Sequence, residues 1–356
     1  MAVFQRPHFP TGTRLAKLQN RRTDIVESTM MKSAGANEVY ERMQEASSAI
    51  KYAVGAMQPI DPNYTANTYA EGDRVKNQLK KNLTPEGIVC DYEYQGSVTN
   101  DTHIKAKSDI DLLTLCCRFV AIEPPQPVRS PYQGNAVADL LLLRRRSVDI
   151  LNRKFPEATV DATGSKSVCI EGGSLRRKID VVSSNWWDTN EYARTGLKRD
   201  RGIEILDAHE LERLSNLPFL HNDRIETKDT LTLGGLRKAT RLLKSLKYDA
   251  ANEVSLSSYD IAAIAYTMDN SNLIVMRGQE LQLVMNCKEH LDRIAANSLY
   301  RSTLDVPNDT RKIFCTEGAS LAKLDELRRE LDGLVNDIKN DLSRSFRRLA
   351  SARVEY

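Results

Sequence analysis

Ser108-Asp109-Ile110-Asp111-Leu112-Leu113-Thr114-Leu115 reads as a strand entering a buried sheet, and the alternation along it decides where its acids point. Residues i and i+2 of a strand share a face, so Asp109 and Asp111 project side by side. Leu175-Arg176-Arg177-Lys178-Ile179-Asp180-Val181-Val182 is a second strand with an acid inside it, and Val89 to Tyr94 a short strand ahead of Gly96-Ser97. Paired strands are expected from Val160 to Val182 and another at Ile203 to Leu206. Near Asp223 the period changes. Leu231 to Tyr248, Tyr259 to Thr267, Gly278 to Leu299 and Ser320 to Arg353 all carry helical spacing, as do Ala34 to Ala56, Asn67 to Leu83 and Ala136 to Phe155 earlier in the chain. Leu321, Leu324, Leu327, Leu331, Leu334, Ile338, Leu342, Phe346 and Leu349 form one apolar stripe, which packs on the lobe or on a partner.

These patterns predict an α+β chain in three parts: a basic, loosely docked arm over 1–32, a sheet-bearing lobe with an N-terminal spine helix over 33–225, and a helical lobe with a tail over 226–356. Composition narrows the function classes. With 51 Lys plus Arg against 48 Asp plus Glu the net charge is only +3, so no global field favours long duplex nucleic acid. The six cysteines at 90, 116, 117, 169, 287 and 315 show no C-x-x-C spacing, which disfavours a zinc ribbon and suggests buried free thiols in a reducing compartment. Met1 to Pro10 lacks an apolar core and no run approaches 18 apolar residues, so the expectation is a cytoplasmic protein without membrane insertion.

Paired carboxylates repel and are costly to bury unless a divalent cation neutralises them. Magnesium suits Asp109 and Asp111, with Asp180 as the third acid; two Mg²⁺ ions (Mn²⁺ is an alternative) about 4 Å apart would clamp the attacking and leaving oxygens of an in-line displacement. Gly96 permits a sharp turn with backbone N–H groups near phosphate, and Ser97 adds a hydroxyl. Arg237 and Arg241, or Lys238 and Arg241, are spaced to share a helix face that could grip a triphosphate or simply be solvated. Arg144-Arg145-Arg146 cannot all face one way and is expected to be mostly solvated.

Gly96-Ser97 with Thr102, then Ser108-Asp109-Ile110-Asp111, then Ile179-Asp180-Val181-Val182 resembles the polymerase-beta-type nucleotidyltransferase superfamily. Downstream, Asn222-Asp223, Gly234-Gly235-Leu236-Arg237-Lys238 with Arg241, and Ser257-Ser258-Tyr259 resemble the bacterial cGAS/DncV-like nucleotidyltransferases, the CD-NTases. The resemblance implies a mixed twisted sheet, a C-terminal helical lobe and an active site in the cleft between them. It also implies triphosphate binding through Lys238 or Arg241 and Ser258, with Tyr259 stacking on a base. The chain ends in Tyr356, and among CD-NTase-like enzymes those of the Hailong anti-phage defence systems are similar in using a C-terminal tyrosine as primer. That likeness implies polymerisation of dATP into a single-stranded DNA oligomer on Tyr356, the product controlling a separate membrane effector. The alternative is a cyclic di- or trinucleotide made from nucleoside triphosphates, with Tyr356 incidental. An intact carboxylate triad argues against a third reading, a silent nucleotide- or RNA-binding adaptor.

Overall fold

The computed structural model describes residues 11–22, 39–128 and 131–351. Two compact units divide the chain: one holds the described residues up to Pro59 together with those from Thr227 onward, the other Ile60–Glu226. Their boundary falls within the helix Pro218–Leu231, close to the expected switch of period.

The Ile60–Glu226 unit is built on a seven-stranded sheet. Its strands are β1 (Cys90–Gln95), β2 (Ile110–Ile122), β3 (Thr159–Asp161), β4 (Val168–Gly172), β5 (Leu175–Asp188), β6 (Gly202–Asp207) and β7 (Glu212–Asn216). The order β1-β2-β5-β4-β3 is joined by β6, which pairs with the far end of β5 and with β7. Every pairing is antiparallel except β2 with β5, whose chain returns through the helix Ala136–Lys154 and the β3–β4 pair. Alternation sorts the side chains as the sequence requires. Ile110, Leu112, Ile179 and Val181 form one core with Val75, Leu79 and Leu83 of the helix Pro62–Leu83 and with Leu140, Leu143 and Ile150 of Ala136–Lys154. Leu113, Leu115, Val182, Trp186 and Ile203 form a smaller core on the opposite face. Asp109, Asp111 and Asp180 fall in the phase of this second set.

Local chemistry fixes the helix starts. Asp61 accepts hydrogen bonds from the Asn63 and Tyr64 amides and Pro62 fills the first turn, so that helix begins five residues before the Asn67 we expected. Ser47 caps Ser48–Met57 through the Ile50 amide and residues 39–47 lie in turns and loop, so Ser48–Met57 is the described helical part of the expected Ala34 to Ala56 helix, of which 34–38 lie outside the described residues. Arg144 is buried and donates to the Ala162 and Gly164 carbonyls while Arg145 and Arg146 are exposed, as the triplet's geometry required.

In the other unit, the helices Ser48–Met57, Gly235–Asp249, Glu280–Ala296 and Leu321–Ser351 supply buried apolar faces. Residues 39–59 therefore belong with the helices and not with the sheet, which corrects the 33–225 assignment: Ala49, Tyr52, Ala53 and Met57 are buried there. The loosely docked arm is corrected as well. Thr11–Arg22 is a helix with Leu18 buried, the Arg14 guanidinium fully buried against the Glu330 carboxylate and carbonyl, and Arg21 paired with Asp249 at 3.0 Å. Arg14 and Arg21 pair with acids inside the unit, and Lys17 and Arg22 donate to the Asp249, Ala250 and Pro59 carbonyls, so their basic composition was no sign of solvation. The C-terminal stripe is buried from Leu324 to Ile338, but Leu342 is exposed; the side chains of Phe346 and Leu349 lie outside the described residues. All six cysteines are free, yet Cys117 and Cys315 are exposed, because Cys117 takes the opposite phase of β2 from buried Cys116. No described helix is long and apolar enough to cross a membrane.

Candidate active site

The parallel pairing of β2 with β5 sets Asp111 directly opposite Asp180, with Ile110 opposite Ile179 and Leu112 opposite Val181. Asp109 lies just before β2 on the same phase, so three carboxylates from two strands gather on one face of the sheet. Lys178, two residues before Asp180, joins them: its ammonium is 3.0 Å from Asp109 Oδ2 and 3.5 Å from Asp180 Oδ2. We had not singled out this lysine, although its i−2 spacing from Asp180 was the available signal.

The acids perturb one another. Asp111 is pushed up to about 7 by burial and by repulsion from Asp180 and Asp109, with Lys178 opposing. Asp180 is raised by burial, an effect that Lys178 and a Ser167 hydrogen bond reduce and Asp109 increases. Burial disfavours the charged form of Lys178, but the hydrogen bond to Asp109 and the fields of Asp180 and Asp109 outweigh it and raise its pKa. A donor set of hard oxygens that repel each other and already hold one cation suits a divalent metal, which Asp109, Asp111 and Asp180 could hold.

Gly96 ends β1 beside this cluster. Its φ of 84° is left-handed, and a side chain there would collide with the Asp111 carboxylate, so glycine is required for two independent reasons. The loop beyond it is tied down: Thr99 Oγ1 donates to the Gly96 carbonyl at 2.7 Å and the Thr102 amide to the Ser97 carbonyl at 3.0 Å. Asn222 clasps it from the helix Pro218–Leu231, donating to Thr99 Oγ1 at 2.9 Å and accepting from Asn100 at 3.4 Å. Only Asn222's resemblance to the family motif had marked it; its loop-holding role needed the fold. Behind β5, the buried Glu71 carboxylate accepts from the Arg176 and Arg177 amides at 2.8 and 3.0 Å and pairs with the Arg177 guanidinium at 2.9 Å, fixing the strand that carries Lys178 and Asp180.

The remaining candidates lie in the other unit. On the helix Gly235–Asp249, Arg237 is paired with Asp229 at 3.0 Å and Arg241 is buried, donating to the Met57 carbonyl at 2.9 Å. Arg241 is therefore no part of a solvated face, while Arg237 and Lys238 are both partly exposed. Ser257 caps the helix Ser258–Tyr266. Ser258 shares a 3.1 Å hydrogen bond with the Tyr248 hydroxyl. Tyr259 is half exposed, with its hydroxyl 3.1 Å from Asn308 and the Arg311 guanidinium 5.3 Å from its ring. Tyr356 lies outside the described residues.

This sheet, with an acid pair on β2 facing a third acid on β5 behind a Gly-Ser turn, is that of a nucleotidyltransferase. The chain belongs to the cGAS/DncV-like nucleotidyltransferases, the CD-NTases, and within them to the CdnE group. It is 37% identical over 332 residues to the cyclic dinucleotide synthase CdnE of Yersinia aleksiciae, covering 92% of this chain and 86% of that one. Among solved structures, the STING-associated CdnE c-di-GMP synthase from Flavobacteriaceae sp. matches with a TM-score of 0.75 at 25% identity, over 94% of this chain and 99% of that one. The corresponding enzyme from Capnocytophaga granulosa matches with a TM-score of 0.72 at 27% identity, over 94% of this chain and 100% of that one. No protein-family model matches the sequence.

Proposed function

We propose that this nucleotidyltransferase joins two nucleoside triphosphates into a cyclic dinucleotide, with GTP as substrate and c-di-GMP as product. The observation that carries the reading is the Asp111–Asp180 register with Asp109 and Gly96-Ser97 beside it, in a chain whose relatives are named for cyclic dinucleotide and c-di-GMP synthesis. In each of two rounds a ribose hydroxyl oxygen bonds to an α-phosphorus, the bond from that phosphorus to the bridging oxygen breaks, and pyrophosphate leaves. The second round closes the ring.

Asp109 and Asp111 would hold the divalent cations, Mg²⁺ or Mn²⁺, with Asp180 completing the set. Bound there, the ions would supply charge neutralisation of the phosphates and a lowered pKa for the attacking hydroxyl. Asp180 accepts that hydroxyl's proton. The Gly96 and Ser97 amides and the Ser97 hydroxyl donate to phosphate oxygens. In the helical unit Lys238 and Ser258 are the triphosphate donors and Tyr259 the ring for base stacking. Arg241, committed to Met57, holds the fold.

The relatives' products favour this cyclic reading over tyrosine-primed synthesis of single-stranded DNA from dATP. The expected partner becomes a receptor for a cyclic dinucleotide, as the STING association of the two solved relatives suggests, in place of a membrane effector held by a DNA oligomer. Incubation with GTP and Mg²⁺, phosphatase treatment and mass spectrometry test it. A phosphatase-resistant cyclic dinucleotide, lost in Asp109→Ala and retained in Tyr356→Phe, is the expected result. A nuclease-sensitive oligomer from dATP, bound to the chain through Tyr356, would refute it.

A further inference from the structure

Lys178 is placed by the same alternation that places the acids. It shares the sheet face of Asp180 on β5, and its ammonium reaches both Asp109 and Asp180, 3.0 and 3.5 Å away. A cation between carboxylates from two strands stands where a divalent ion would bind, and does the same electrostatic work with half the charge. Among the described residues no three acidic, imidazole or thiol groups converge on one point as they stand. Asp109 accepts a hydrogen bond from the Lys178 ammonium. The Lys178 side chain is 38% exposed, so rotation about its flexible stem can carry the ammonium outward without opening the core.

We propose that Lys178 is an internal counter-ion, occupying the cation position between Asp109 and Asp180 and expelled when a divalent metal binds, so that it sets the metal concentration at which the site loads. The inference rests on the metal-dependent reading above and goes beyond it in giving a residue outside the ligand set control of metal affinity. Two opposite effects separate a counter-ion from a prop. Removing a competing cation strengthens metal binding and weakens the metal-free protein, whose acids are left to repel each other. Removing a residue that merely shapes the pocket weakens metal binding.

The test is Mn²⁺ binding to the full-length protein, followed by electron paramagnetic resonance and calorimetry without nucleotide. Lys178→Met and Lys178→Gln should bind Mn²⁺ roughly tenfold more tightly than wild type, the ratio that one pKa unit of altered interaction represents. Both should also melt lower in EDTA and gain more on adding metal, whereas Lys178→Arg, which keeps the charge, should stay close to wild type. Unchanged or weaker affinity in both neutral variants overturns the counter-ion role, provided Asp109→Ala abolishes Mn²⁺ binding in the same assay. If Asp109→Ala leaves Mn²⁺ binding untouched, the metal reading itself fails and this inference with it.

Discussion

Replacing Gly96 with alanine should damage the protein through one carboxylate. The backbone there has a φ of 84°, and a non-glycine residue in the left-handed region costs about 1–2 kcal/mol. The added carbon would lie 3.3 Å from Asp111 Cγ and closer still to Oδ2, while Asp111 Cβ is 3.9 Å away, at ordinary contact distance. The carboxylate must therefore swing off its rotamer, at a further cost of about 1 kcal/mol. Gly96→Ala should thus cost about 2–3 kcal/mol in all. In an Asp111→Ala background only the backbone share remains, so a double-mutant cycle should return a coupling of about 1 kcal/mol. Both tryptophans, Trp186 and Trp187, lie on β5, so fluorescence-detected urea unfolding of the four proteins in EDTA reports on this sheet. A displaced Asp111 should also cut turnover by about 100-fold, the scale of a 1 Å misplacement. Equal cost in both backgrounds, or full turnover in Gly96→Ala, would refute the steric account.

Two further outcomes follow from the same cluster. Asp111 has a folded-state pKa of about 7, above its ordinary 3.8, so the native state binds more protons than the unfolded chain between those values. Its contribution to metal-free stability therefore falls as pH rises from about 4 to about 7, and the advantage of Asp111→Asn over wild type should grow across that window to a few kcal/mol; thermal unfolding in EDTA at several pH values reads it, and a pH-independent difference would contradict the assignment. Asn222→Ala removes the clasp on the Gly96-Ser97 loop, an interaction worth about 1 kcal/mol, and should lower kcat/KM for GTP roughly fivefold in steady-state kinetics; unchanged kinetics would exclude the clasp.

Period-2 alternation was enough to read Asp109, Asp111 and Asp180 as one set, because a strand's faces follow from residue spacing alone. The same rule covered Lys178, but a lysine among arginines in Leu175-Arg176-Arg177-Lys178 looks like an ordinary solvated run until the parallel partner brings Asp109 beside it. Gly96 was legible as a turn residue and not as a steric necessity, since the clash depends on Gln95 lying opposite Asp111 in the antiparallel register. Long-range pairing hid the rest. Arg14 and Glu330 are separated by most of the chain, so composition gave a loose basic arm where the fold has a fully buried guanidinium. Likewise nothing local tells that Arg241 is committed to the Met57 carbonyl and that Lys238 is the more exposed residue.

Because strand pairing, and no loop, sets Asp111 against Asp180, the chemistry tolerates change in some places and not in others. Extra residues among the exposed positions 131–135 would lengthen a surface connection and leave the pair where it is. A slip of β5 by one residue would turn Asp180 and Lys178 to the helix-covered face and bring Ile179 and Val181 out in their place. Parallel neighbours form only after the whole crossover has closed, which makes this pairing a late, non-local event in folding. Newly made chains should thus acquire their compact sheet and its cluster of catalytic carboxylates in the same step.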